Sequence, residues 1–262
     1  MSSLTEWLEQ KGVEAPVLKV ALLYLAAVTA AELLTTLVEP RLGLGLHGML
    51  LVLLLVHAAR SWEDSSHDLL LTLSFAPLIR MLSLSLPLGS FPLVYWYLIT
   101  SIPLFVSVVI TMRTLGFTWH RIGLTPRALL VQLLLALSGV VFGFVEYGIL
   151  HPAPLAKAFT WQQLWLPALI LMVSTGFMEE LIFRGLMQQA TKNTLGVLSV
   201  PYVAAMFAVL HVGYRSVLDV LFVFAVALFF GYVTDRTRSI VGVSLSHGLT
   251  NIVLFLVAPF QL

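Results

Sequence analysis

The stretch ALLVQLLLALSGVVFGFVEYGIL, residues 128–150, decides the fold. Its only charged residue is Glu146. At about 1.5 Å per residue, a run of this length crosses the roughly 30 Å hydrocarbon core of a bilayer as one helix. Its apolar residues are continuous rather than alternating, which argues against a strand of a lipid-facing barrel. Similar runs fill the rest of the chain, at residues 17–38, 42–59, 68–87, 91–112, 163–189, 197–214, 216–233 and 240–259. Some are short, so the expectation is an all-α polytopic membrane protein, a bundle of eight or nine transmembrane helices. Composition agrees. Hydrophobic residues make up 59% of the chain and charged residues 10%, whereas a soluble domain has about 45–50% and about 25%. The 14 Lys+Arg nearly balance the 13 Asp+Glu. That balance excludes a nucleic-acid binder, which needs a basic surface, and the apolar content excludes a soluble enzyme and a disordered chain. Cysteine is absent. There is therefore no disulfide framework, thiolate metal site or thiol nucleophile, and any chemistry falls to His, Glu, Asp, Asn, Ser or Arg.

Loop charges orient the chain. With the N-terminus cytoplasmic, the inner segments carry Lys11, Arg60, Arg113, Arg121, Arg127, Lys192, Arg236 and Arg238, and the outer ones only Arg41, Lys157 and Arg215. Trp62, Trp96, Trp119, Trp161 and Trp165 fall near span ends, as interfacial anchors do. Residues 1–16 read as a cytoplasmic amphipathic segment. Val28-Thr29-Ala30 resembles a cleavage site, but the acidic residues before it favour a signal anchor over a cleaved signal peptide. Residues 17–262 then form a single transmembrane domain. Gly139 and Gly143 make a G-x-x-x-G pattern, which predicts close helix packing.

Polar residues inside spans are costly and therefore informative. They are Glu32, His57, Arg80, Glu146, Glu179, Glu180, Arg184, His211, Asp219, His247 and Asn251. His57 lies at a span end, and Glu32 and Glu146 lie close enough to theirs to reach water. Arg80 can snorkel or pair with Glu32. Asp219 begins a span, where it can serve as a cap. Two adjacent carboxylates in FMEELIFRG, residues 177–185, are harder to explain as packing. Glu180 and Arg184 are i,i+4 and share a face, so an ion pair accounts for both. Glu179 points about 100° away, and the ion pair leaves it unexplained. A carboxylate in apolar surroundings is suited to general-base work. His211 lies on an apolar helix and, taken alone, reads as a core histidine. His247 and Asn251 are i,i+4, share a face and both donate hydrogen bonds, as an interhelical pair also would.

Depth connects these groups. Counted from the cytoplasmic edge at 1.5 Å per residue, Glu179 lies about 20 Å in, His211 about 24 Å, His247 about 14 Å and Asn251 about 20 Å. Three antiparallel helices would thus bring a Glu, two His and an Asn to similar depth.

Glu179-Glu180-x-x-x-Arg184, Phe207-x-x-x-His211 and His247-x-x-x-Asn251 resemble the three motifs of the CPBP family of CAAX endopeptidases and bacteriocin-processing proteins, also called ABI. Thr237-Arg238-Ser239-Ile240 is similar to the approach to the last motif, although Gly is common where Arg238 stands. Arg121-Ile-Gly-Leu124 is a looser echo. The resemblance covers about residues 163–259 and implies an intramembrane endopeptidase with its catalytic core there. It makes Glu179 the general base and His211 its helper in activating water. His247 and Asn251 become the oxyanion hole, and Glu180, Arg184 and Phe207 shape the site or hold substrate. In the eukaryotic branch of the family the substrate is a prenylated CAAX protein.

The family was first described as metal-dependent, and Glu179, His211 and His247 are three plausible zinc ligands. An amide at Asn251 is a poor fourth ligand, and no H-E-x-x-H is present. The expectation is therefore a metal-free, glutamate-activated water with no cofactor, zinc being the alternative. The expected partners are the bilayer and a hydrophobic or lipidated peptide or protein, with no nucleic acid. The expected location is multi-pass, in the plasma membrane of a prokaryote. Two other classes compete. One is a non-proteolytic membrane scaffold or bacteriocin-immunity protein on the same fold. The other is an ion-coupled transporter using Glu32, Arg80, Glu146 and Glu179, which predicts inverted repeats that the sequence does not display.

Overall fold

The computed structural model describes residues 2–262. The chain is an all-α polytopic membrane protein. The elements are α1 (Ser2–Gln10), α2 (Ala15–Val38), α3 (Pro40–Arg60), α4 (His67–Ser85), α5 (Leu93–Thr114), α6 (Leu129–Leu150), α7 (Trp161–Tyr214), α8 (Val217–Thr237) and α9 (Val241–Phe260). The last eight are long and apolar enough to cross a membrane. Among the described residues the only strand-like pairing is an isolated bridge, Val13 to Leu195. Long apolar side chains such as Leu130, Leu134, Leu137 and Val141 of α6 are exposed, as they must be where the surrounding solvent is lipid.

At 54 residues, α7 is far longer than one crossing needs. It breaks at Gly196, whose φ is +47°. A Cβ there would lie 2.1 Å from the Lys11 carbonyl oxygen, so the close approach of the N-terminal segment also requires glycine. Glu14 N donates to the Thr194 carbonyl beside it (2.7 Å). The break separates the two runs expected at 163–189 and 197–214.

The chain folds as two compact units. Unit 1 comprises residues 1–85 and 186–232, and unit 2 comprises residues 86–185 and 233–262. In unit 1 the turn between α2 and α3 follows from Glu39-Pro40. Proline occupies the first turn of α3, and the Glu39 carboxylate accepts from Arg41 N (3.2 Å). Leu54, Leu69, Leu70, Phe75, Leu195 and Met206 are fully or almost fully buried. The pairing of Arg80 with Glu32 is present, with Nε donating to Oε1 at 2.5 Å. His47, a residue absent from the sequence-derived polar set, is fully buried with Nε2 3.4 Å from the same oxygen. Arg80 Nη2 also donates to the Leu210 carbonyl. The expectation that Asp219 caps its helix is corrected: Ser216 Oγ accepts from Asp219 N (3.1 Å), so Ser216 is the cap.

In unit 2, small residues bring backbones together. A Cβ on Gly139 of α6 would lie 2.0 Å from the Ser246 carbonyl oxygen of α9, and one on Gly143 would lie 2.6 Å from Val253 Cβ. This is the close packing that G-x-x-x-G predicts. The contact is also polar: Ser138 and Ser246 hydroxyls are 2.9 Å apart, and Gln132 Oε1 accepts from Gly242 N at 2.6 Å. On the other side of α9, a Cβ on Gly176 would sit 2.4 Å from Gly248 N. Helix α9 is thus held between α6 and the first part of α7. A Gly139→Ala variant should lose about 1–3 kcal/mol through overpacking, read as a lowered unfolding midpoint in detergent. A midpoint equal to wild type would show that this approach is not required.

Candidate active site

Unit 2 places five of the sequence-derived site residues together. Glu179 and Glu180 form the centre of a short α-helical piece, Met178–Glu180, flanked by wider π-helical turns at Leu171–Phe177 and Leu181–Met187. Such local widening recurs at functional sites. The two carboxylates differ in surroundings as the helix geometry predicts. Glu180 is completely buried, whereas the Glu179 side chain is 31% exposed. Arg184, 1% exposed, donates from Nη1 to Glu180 Oε1 at 2.8 Å. The i,i+4 ion pair therefore exists inside the protein, where an uncompensated charge would be costly.

The same Glu180 oxygen also receives His247 Nδ1 at 2.9 Å, which turns the ring so that Nε2 lies 3.8 Å from Glu179 Oε2. This link was absent from the sequence reading, which paired Glu180 only within its own helix. A carboxylate oxygen accepts, so Nδ1 carries the proton in this hydrogen bond. Asn251, one turn further along α9, donates from Nδ2 to Thr175 Oγ1 at 2.8 Å. Thr175 in turn donates to the Leu171 carbonyl at 2.5 Å. Thr175 is a polar neighbour of Asn251 that the sequence reading missed. Its signal was the Ser-Thr-Gly interruption of an apolar run, four residues before Glu179.

The start of α9 is positioned by the two segments that carried the weaker resemblance. Arg238 has φ +53° and closes the end of α8, its N donating to the Thr234 carbonyl at 2.8 Å. The Arg238 carbonyl accepts from Thr125 Oγ1 at 3.1 Å, Ser239 Oγ donates to the Thr125 carbonyl at 2.7 Å, and Ile240 N donates to the Gly123 carbonyl at 2.9 Å. Residues 121–125 and 237–240 are thus one joint. The left-handed conformation at Arg238 explains why glycine suits that position. Arg238→Gly should be neutral or stabilising by up to about 1 kcal/mol, measured by thermal unfolding. A clear loss of stability would show that the Arg238 side chain matters more than its backbone.

Phe207 and His211 belong to unit 1. His211 follows the helical segment Ser199–Val209, and its ring lies 4.8 Å from that of Phe207 and 6.0 Å from that of Tyr214. Nδ1 contacts the Phe207 carbonyl at 3.1 Å. A carbonyl only accepts, so Nδ1 carries the proton of this hydrogen bond. The preceding carbonyl, that of Leu210, is the one held by Arg80.

These features define a polytopic membrane protein with a carboxylate–histidine cluster built into its helices. Residues 160–253 match a family model described as Rce1-like, type II CAAX prenyl endopeptidase Rce1-like. The matched stretch contains all three motifs, and it supports an intramembrane endopeptidase at the level of the family. No curated protein and no solved structure gives a significant match. As for zinc, the described residues contain no group of three or more His, Cys, Asp or Glu arranged to hold a metal ion. The Nδ1 of His247 is engaged by Glu180.

Proposed function

We propose that the chain hydrolyses a peptide bond in a membrane-associated protein or peptide, with a lipidated CAAX-type C-terminus as the substrate class to test first. The observation that carries this reading is the pairing of Glu179 Oε2 with His247 Nε2 across 3.8 Å, the imidazole being fixed by the buried Glu180–Arg184 pair. Glu179 takes a proton from a water molecule, and the water oxygen bonds to the scissile carbonyl carbon. The carbonyl electron pair moves to its oxygen, which is stabilised by His247 and Asn251. The carbon–nitrogen bond then breaks, and the proton held by Glu179 passes to the departing amine. Asn251 Nδ2 carries two hydrogens; Thr175 takes one, and the second serves the oxyanion. His247 donates from Nε2 when its ring is doubly protonated, with Glu180 as the counter-charge. His211 enters on the family resemblance, as a second acceptor for the water proton. The mechanism routes no step through a metal. Loop charge supports a cytoplasmic N-terminus, and the location that goes with this reading is the plasma membrane of a prokaryote.

The test is mass spectrometry of peptides incubated with the purified protein in liposomes made in 18O water. The expected product pair is a new amine and a new carboxylate carrying one solvent oxygen, formed faster from a lipidated peptide than from its unlipidated form. Intact peptides throughout, across lipidated and hydrophobic substrates, would contradict the reading.

A further inference from the structure

Unit 1 contains a cavity of about 360 Å³ at the ends of α2 and α4 and the start of α3, with no residue of the carboxylate–histidine cluster in its lining. Its charged lining is Glu32, Arg41, Arg80 and Arg215. Glu32 and Arg80 neutralise each other through their ion pair. The guanidinium groups of Arg41 and Arg215 form no ion pair with a carboxylate among the described residues, the Glu39 carboxylate being bonded to the Arg41 backbone N, and Arg215 Nη2 is steadied by the Thr36 carbonyl at 2.7 Å. Two positive charges therefore line a partly enclosed space. A second cavity of about 260 Å³ shares Arg215 and is otherwise lined mainly by apolar side chains, Leu33, Leu37, Val217 and Val220 among them. Leu37 and Val217 are 65% and 78% exposed. Both cavities lie where membrane-crossing helices end, at the Val38–Pro40 and Tyr214–Val217 joints. Helix ends of this kind sit at the boundary between hydrocarbon and head groups.

A basic cavity and an apolar groove that share Arg215 at that boundary have the chemistry of one amphiphile. We propose that this is a binding site for an anionic phospholipid, with its phosphate between Arg41 and Arg215 and an acyl chain along Leu33, Leu37, Val217 and Val220. Arginine suits this role because its planar fork donates two parallel hydrogen bonds to phosphate oxygens. The groove supplies the apolar area that free phosphate cannot use. The site stands independently of the peptidase reading, since none of its residues belongs to the proposed catalytic set.

The test is native mass spectrometry and thermal unfolding of the purified full chain with phosphatidylglycerol, phosphatidylcholine or inorganic phosphate. The wild type should retain phosphatidylglycerol in preference to phosphatidylcholine and gain stability from it, with no such gain from inorganic phosphate. Arg41→Gln and Arg215→Gln should each weaken retention by about tenfold, the scale of one charge-assisted hydrogen bond. Leu37→Gln should weaken it through the groove while both arginines remain. Arg41→Lys and Arg215→Lys keep the charge with less disturbance, and should retain the lipid better than the glutamine variants. Equal retention of the two lipids, undiminished retention by the glutamine variants, or equal stabilisation by inorganic phosphate would each overturn the proposal. Displacement of phosphatidylglycerol by a lipidated peptide at equal concentration would assign the cavity to a peptide ligand and overturn it too.

Discussion

Replacing Arg184 by methionine should cost about 3–5 kcal/mol of stability, because it removes the guanidinium from the buried Glu180 carboxylate and leaves His247 Nδ1 as its remaining polar contact at Oε1. Glu180 is completely buried and Arg184 is 1% exposed, so solvent cannot take over from the lost guanidinium. Thermal unfolding in detergent checks this, with a large drop in midpoint expected. The informative companion is the double variant Glu180→Leu/Arg184→Met. Removing both charges together is often nearly neutral for stability, so much of the loss should be regained. Turnover should not return with it, because His247 Nδ1 loses the oxygen that orients its ring. A single Arg184→Met variant as stable as wild type would show that the pair is not holding a buried charge. A double variant with full turnover would show that Glu180 does not position His247.

Glu179→Gln should lower kcat by about 10²–10⁴-fold, the usual contribution of a positioned general base. Glutamine keeps the shape and the hydrogen-bonding reach, but its amide does not accept a proton from water. Glu179 is 31% exposed, so stability should change by less than about 1 kcal/mol, as for other partly exposed positions. Loss of turnover with an unchanged unfolding midpoint separates a chemical role from a structural one. A Glu179→Gln enzyme retaining more than a tenth of wild-type kcat would place the base elsewhere.

The helical spans were legible because hydrocarbon tolerates no unpaired backbone, so continuous apolar runs have one outcome. Runs such as 128–150 and 91–112 reappear as Leu129–Leu150 and Leu93–Thr114. The different surroundings of Glu179 and Glu180 were legible from helix geometry alone: Glu180 is buried with Arg184, and Glu179 is partly exposed. What periodicity could not reveal lies across helices. The i,i+4 rule sees one helix at a time, so it paired Glu180 with Arg184 and passed over His247. It likewise treated Asn251 as a neighbour of His247 and overlooked Thr175. His47 stands inside the run 42–59, and its contact with Glu32 is made across helices. The joint between residues 121–125 and 237–240 was visible only as two weak echoes. Its substance is two hydroxyl-to-carbonyl hydrogen bonds and one backbone hydrogen bond between segments far apart in sequence, which local pattern does not encode.

The measurement that tests the central claim most directly is turnover of a lipidated CAAX peptide by the purified protein in liposomes, with wild type and Glu179→Gln each assayed with and without a zinc chelator. The account predicts cleavage by wild type that persists in chelator and is lost in Glu179→Gln. Cleavage abolished by chelator and restored by zinc would contradict the glutamate-activated water, and cleavage undiminished in Glu179→Gln would contradict the assignment of its base.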